Sequence, residues 1–167
     1  MIACIGTREL HEQDAISVRI FAERINSIGK DTVINTGAAV GVDQFSALKH
    51  LKNGGVVQLF LPWKDYERDF VNAVRLDYPE NVRVKVLNEE DREAMLSVKR
   101  YHPSFSSLSR GAKLLHARNY LIVYEVEKVI AFPHWKSGKP GGGTMQGVRI
   151  AESLGIPVEI YGNGALF

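Results

Sequence analysis

Apolar positions along this chain alternate between two rhythms. Short, nearly continuous apolar runs at residues 2–5, 32–35, 56–61 and 129–132 predict strands, with a shorter one at 83–87 and a last one at 157–160. Between them the apolar positions return at helical spacing. Ile16, Ile20, Phe21, Ile25 and Ile28 define one helix, closed by Gly29, and residues 43–51 a second, closed by Asn53-Gly54-Gly55. Further helices are predicted over 66–76, 89–101, 108–123 and 145–154, with a break at His102-Pro103-Ser104-Phe105 and a stop at Gly155-Ile156-Pro157. Strands that are apolar on both faces, separated by helices, imply an α/β domain: a doubly wound, mainly parallel sheet with helices on both sides. No internal repeat or linker interrupts the pattern, so residues 1–167 read as one domain.

Composition narrows the function classes. Hydrophobic content of 45% and charged content of 24% are ordinary for a globular protein, and a net charge of +2 gives no global polycation for DNA or membranes. Cys4 is the single cysteine and lies in a predicted strand, so no internal disulfide forms and a reducing setting fits. No apolar run reaches the ~20 residues of a membrane span, and the first residues lack a signal peptide's charged and apolar regions. The expectation is a cytoplasmic protein that makes no membrane contact.

Ligands of doubly wound sheets bind beyond the carboxyl ends of the strands. Three segments fall there: Gly6-Thr7-Arg8, the run Thr36-Gly37-Ala38-Ala39-Val40-Gly41-Val42-Asp43, and Gly141-Gly142-Gly143-Thr144 before the helix at 145. Glycines let backbone approach a ligand, the threonines offer hydroxyls, and a helix start presents unsatisfied N–H groups to an anion. Neither a G-x-G-x-x-G after the first strand nor a phosphate loop ending in Gly-Lys-Ser/Thr is present, which argues against a nicotinamide dehydrogenase and an NTPase.

Ile5-Gly6-Thr7-Arg8, the 36–43 run, Ala117-Arg118-Asn119 and Gly142-Gly143-Thr144 occur in the order found in the SLOG superfamily, which the chain resembles over nearly its whole length. That superfamily joins the Rossmann-like domain of DprA/Smf DNA-processing proteins to LOG-type phosphoribohydrolases. The segment from His102 to Asn119 looks most like short bacteriophage and prophage DprA-like proteins, which would place the chain in a host cytoplasm. The resemblance implies a nucleotide or nucleotide-derived ligand and a homodimer paired through helical faces. It also marks a departure: LOG-type enzymes carry P-G-G-x-G-T-x-x-E, whereas Pro140-Gly141-Gly142-Gly143-Thr144 is one residue shorter and Gly147 stands where the catalytic Glu would be.

The nucleotide-binding candidates are Gly6, Thr7, Arg8, Thr36, Gly37, Ala38, Asp43, Arg118, Asn119, Gly141, Gly142, Gly143 and Thr144, with His102, His116 and Gln146 as additions. Arg8 and Arg118 would contact phosphate or else form salt bridges. Asp43 would cap the second helix, bind ribose or base, or supply the carboxylate of a nucleotide N-glycosidase. Glu125 and Glu127 read as solvated charges. Lys99, Arg100, Arg110 and Lys113, interleaved with Tyr101 and Phe105, would grip single-stranded DNA or form a solvated helical face. No His/Cys/Asp/Glu set has metal-ligand spacing, and no cofactor is implied.

Overall fold

The structure is a computed structural model that describes residues 1–88 and 90–163. In chain order the strands are β1 (Ile2–Gly6), β2 (Ile34–Thr36), β3 (Val57–Leu61), β4 (Val82–Val86), β5 (Lys128–Phe132), β6 (His134–Lys136), β7 (Lys139–Gly141) and β8 (Val158–Ile160). The helices are α1 (Ala15–Asn26), α2 (Val42–Lys52), α3 (Arg68–Asp77), α4 (Arg92–Tyr101), α5 (Arg110–Val123) and α6 (Thr144–Ser153). Six strands form one wholly parallel sheet in the order β4-β3-β2-β1-β5-β8. The expected Rossmann-like α/β fold is the observed one. Glu89, where the sequence predicts the fourth helix to begin, lies outside the described residues. No helix among the described residues is long and apolar enough to cross a membrane.

The period-2 alternation of the central strands explains why they are apolar throughout. Cys4, Ile130 and Phe132 pack with Phe21, Ile25 and Val42 of α1 and α2, while Ala3, Ile5, Val129 and Ala131 face α4, α5 and α6. Phe21 anchors the first side, edge-on to Phe132 at 5.4 Å. Cys4 is buried, as expected, and burial pushes its thiol up to about 12, so it is an inert apolar filler.

The chain fills the sheet from β1 to β4 on one side, then returns through α4 and α5 to β5 on the other side of β1. The switch point therefore lies between β1 and β5, and the crevice above their carboxyl ends is where the fold opens.

Two expectations need correction. The sequence suggests that a glycine loop links β5 directly to α6; instead β6 and β7 form an antiparallel hairpin between them. Its two-residue turn, Ser137-Gly138, has φ of 52° and 74°, the paired positive values of a type I′ turn. Lys139, Pro140 and Gly141 are thus strand, and only Gly142 and Gly143 remain before the helix. The second correction concerns Asp43. The cap of α2 is Gly41, at φ 95°, and Asp43 lies inside the first helical turn, so its carboxylate is not the N-cap.

Candidate functional site

The strand-end loops are locked together by backbone contacts that only glycine permits. The Thr7 N–H donates to the Phe132 carbonyl at 2.8 Å, tying the end of β1 to that of β5. A Cβ on Gly6 would stand 2.6 Å from that same carbonyl oxygen. The Thr7 carbonyl in turn accepts from the Val42 N–H at 3.0 Å, pinning the start of α2 beneath the first loop. A Cβ on Gly41 would meet Arg8 Cα at 2.7 Å, so the positive φ and the close approach both require glycine there.

Below these loops sits a buried charge pair. Arg118, on α5, is 5% exposed; its Nη1 donates to the Phe60 carbonyl at 3.1 Å, its guanidinium lies 5.7 Å from the Tyr66 ring centre, and its Nε has no hydrogen-bond partner among the described residues. Asp43 faces it across Gly37: a Cβ on Gly37 would press against both Arg118 Nη1 and Asp43 Oδ2. Burial pushes the Asp43 carboxyl from 3.8 up to about 6, opposed chiefly by the nearby Arg118 charge and the Ala39 backbone N–H.

The open space above the pair is a cleft of about 470 Å³. Of the sequence-derived candidates, Gly6, Thr7, Arg8, Asp43, His116, Arg118, Asn119 and Gly141 to Thr144 line it. Thr36, Gly37 and Ala38 are buried behind that lining, and the Thr36 hydroxyl donates to the Cys4 carbonyl at 2.6 Å. Gln146 is also behind it: its Oε1 accepts from Asn119 Nδ2 at 3.1 Å and lies 3.2 Å from His116 Nδ1. With Gln146 Oε1 as acceptor, the neutral ring carries its proton on Nδ1 and leaves Nε2 as an acceptor, and burial lowers the ring's pKa. His102 is outside the cleft, packed against His116 with ring centres 4.5 Å apart.

Several lining residues are absent from the sequence-derived set. Ala112, Leu115 and Ile122 extend the α5 face that carries His116 and Asn119, a pattern present in the sequence as helical spacing. The middle of α5 faces the glycines: a Cβ on Gly143 would stand 3.4 Å from His116 Cε1. Glu9 and His134 come from segments with no local signal, because the hairpin that positions His134 has none. The fold also gathers Glu9, Glu12 and His134 so that one ligand atom of each lies within 4.8 Å of the others, a grouping invisible in the spacing. Gln13 Oε1 accepts from the Trp135 N–H at 3.0 Å, which turns its Nε2 toward His134 Nδ1 at 3.1 Å. The Nδ1 lone pair is therefore engaged by an amide N–H.

The basic cluster is arranged differently from a stacking platform. Lys113 lies 4.5 Å above the Phe105 ring and Arg100 lies 6.0 Å from that of Tyr101, and both rings pack partly buried against the α4–α6 core. Glu125 and Glu127 are exposed beyond the end of α5.

No protein-family model and no curated protein sequence matches the chain. Among solved structures it is similar to DNA processing protein A (DprA) from Streptococcus pneumoniae, with a TM-score of 0.59 and 20% identity. That likeness covers 95% of this chain and 49% of the other, so the chain spans about half the length of DprA. The two share a fold.

Proposed function

We propose that the cleft binds a nucleotide or nucleotide-derived ligand, as the SLOG resemblance implies. The observation that carries this reading is Arg118: a guanidinium held in the cleft wall by burial, with a hydrogen-bond donor left unused. Asp43 stands opposite the Arg118 charge, yet a buried N–H without a hydrogen-bond acceptor is costly until a ligand oxygen completes it. Complementary donors stand at the start of α6. The Met145 and Gln146 N–H groups are spent on the Gly142 and Gly143 carbonyls, whereas none of the described hydrogen bonds is donated by the Gly143 or Thr144 N–H. Phosphate against these amides and the helix dipole would sit within reach of Thr7 and Arg8, and the ribose or base would extend along the α5 face.

The test is a melting-temperature screen with nucleoside mono-, di- and cyclic phosphates. A ligand at a hundred times its Kd stabilises by about 2.7 kcal/mol. For a chain of this size that is a rise of roughly 5–10 °C. The rise should vanish in Arg118→Met, and failure of every nucleotide at millimolar concentration rejects the reading.

One observation favours a second reading, nucleotide N-glycosidase chemistry. Asp43 is a buried cleft carboxyl raised to about 6, near the range of an acid–base group at neutral pH. Hydrolysis would add water oxygen to C1′ of the sugar, break the C1′–N bond and leave the proton on the departing base. The LOG-type Glu position offers no substitute, since a Cβ on Gly147 would stand 2.8 Å from Ile5 Cδ1. Free base released from nucleoside monophosphates, and lost in Asp43→Asn, is the outcome this reading requires.

A further inference from the structure

A second groove lies at the β4 edge of the sheet and shares no lining residue with the cleft. It has a volume of about 430 Å³, with a floor of Leu61, Val71, Val82, Val84 and Val86. Lys64, Arg68 and Arg75 stand around it, and none forms an ion pair with another described residue. Among the described residues Asp65 is the single acidic one in the lining.

The floor belongs to an open strand. Among the described residues β4 pairs only with β3. Its register runs from Val57 opposite Val82 to Leu61 opposite Val86, with the Val57 N–H donating to the Asn81 carbonyl and the Leu87 N–H to the Leu61 carbonyl. In a parallel ladder of that register, residues 81, 83, 85 and 87 bond to β3, so the N–H and C=O groups of Val82, Val84 and Val86 point away from the sheet. The same three valines supply the groove's floor. One row of residues thus offers both an unfilled backbone ladder and an apolar surface, ringed by cations.

We propose that this edge accepts an extended acidic peptide by β-augmentation. The added strand would hydrogen-bond to the outward groups of Val82, Val84 and Val86, place alternate aliphatic side chains on the valine floor, and set carboxylates against Lys64, Arg68 and Arg75. Charge complementarity selects the acidic partner. Among the described residues the lining contains no aromatic ring, so a single-stranded nucleic acid would find phosphate contacts without a ring for its bases to stack on. A second copy of this chain would bring like charges together at the same edge, with Arg83 adding to the repulsion, while Lys85 is paired with Asp91 at 3.8 Å.

The test is fluorescence anisotropy with a labelled eight-residue peptide alternating valine and glutamate, beside its valine–lysine counterpart and an oligothymidine. Saturable binding of the glutamate peptide is expected, weakened about tenfold in the double variant Arg68→Glu, Arg75→Glu and at least about tenfold for the lysine peptide. Val84→Pro removes an N–H that the sheet does not use, and edge strands tolerate proline, so binding should be lost while the melting temperature stays near that of the parent chain. If Val84→Pro unfolds the chain, the charge-reversal pair decides. No saturation by roughly 1 mM, a conventional weak-binding limit, overturns the proposal. Equal affinity for both peptides does so as well, as does oligothymidine binding that the peptide cannot compete away. Concentration-dependent self-association lost in the charge-reversal variant would assign the edge to a second copy and also overturn it.

Discussion

Replacing Asp43 by asparagine should stabilise this protein at neutral pH. Its carboxyl is buried, and its pKa is raised from 3.8 to about 6. An acid whose folded pKa lies above its unfolded value binds its proton more tightly when folded. Between pH 3.8 and about 6 the folded chain holds that proton and the unfolded chain does not, so stability falls as pH rises through this window. Above about 6 both states are ionised and the penalty is complete. Two pKa units correspond to about 3 kcal/mol. The asparagine amide would keep the shape and remove the charge, so the variant should melt higher at pH 7 by up to roughly 6–12 °C for a chain of this size. At about pH 3.5, below both pKa values, the two proteins should differ little. The assay is a series of melts from about pH 3.5 to 8, read as the difference between variant and parent so that other titrating groups cancel. A variant no more stable than the parent at pH 7, with the same pH slope, would refute the reasoning that Asp43 is an ionised carboxylate held against desolvation. The gain, if seen, marks Asp43 as a residue kept at a cost to stability, the pattern of a functional site.

Two other substitutions probe the surroundings. Glu159 is held down to about 2 by its hydrogen bond from Arg24, with Lys128 and Tyr161 adding to it, so its contribution is present above 4.5 and lost as pH falls through about 2. With 29% of its side chain exposed, Glu159→Gln should cost only about 1 kcal/mol at pH 7 and flatten the acid limb of the stability profile, measured by urea unfolding. Gly147→Ala alone should change stability by less than about 1 kcal/mol, because the clash with Ile5 Cδ1 opposes alanine's gain in helix propensity, and adding Ile5→Val to it should raise the melting temperature by relieving the clash.

Much of the fold is legible in the sequence because its signals are local. Apolar runs such as residues 129–132 specify doubly covered strands wherever they end up, and the spacing of Ile16 to Ile28 makes α1 amphipathic before any partner is chosen. Glycines at strand ends mark the sites of close approach for the same reason, since Gly6 and Gly41 report backbone geometry that a Cβ forbids. The hairpin of β6 and β7 is hidden because its strands are short and only partly covered and one contains proline, which weakens both periodicity and propensity. Asp43 shows the limit most clearly. Its position near a helix start suggests a cap, yet Gly41 takes that role, and burial opposite Arg118, far along the chain, sets its charge.

The chain by itself thus determined which segments are strands and helices, and which of their ends are bare enough to receive a ligand, because those properties depend on neighbours a few residues apart. Tertiary structure decided which ends share a cleft, which buried guanidinium keeps an unused N–H among the described residues and which edge stays open. Those depend on desolvation and on distances between residues far apart in the chain, to which local patterns are blind. The glycine run from 141 to 143 carries both lessons: its composition suggested an anion site, but only the hairpin, α5 and Arg118 decided what stands opposite it.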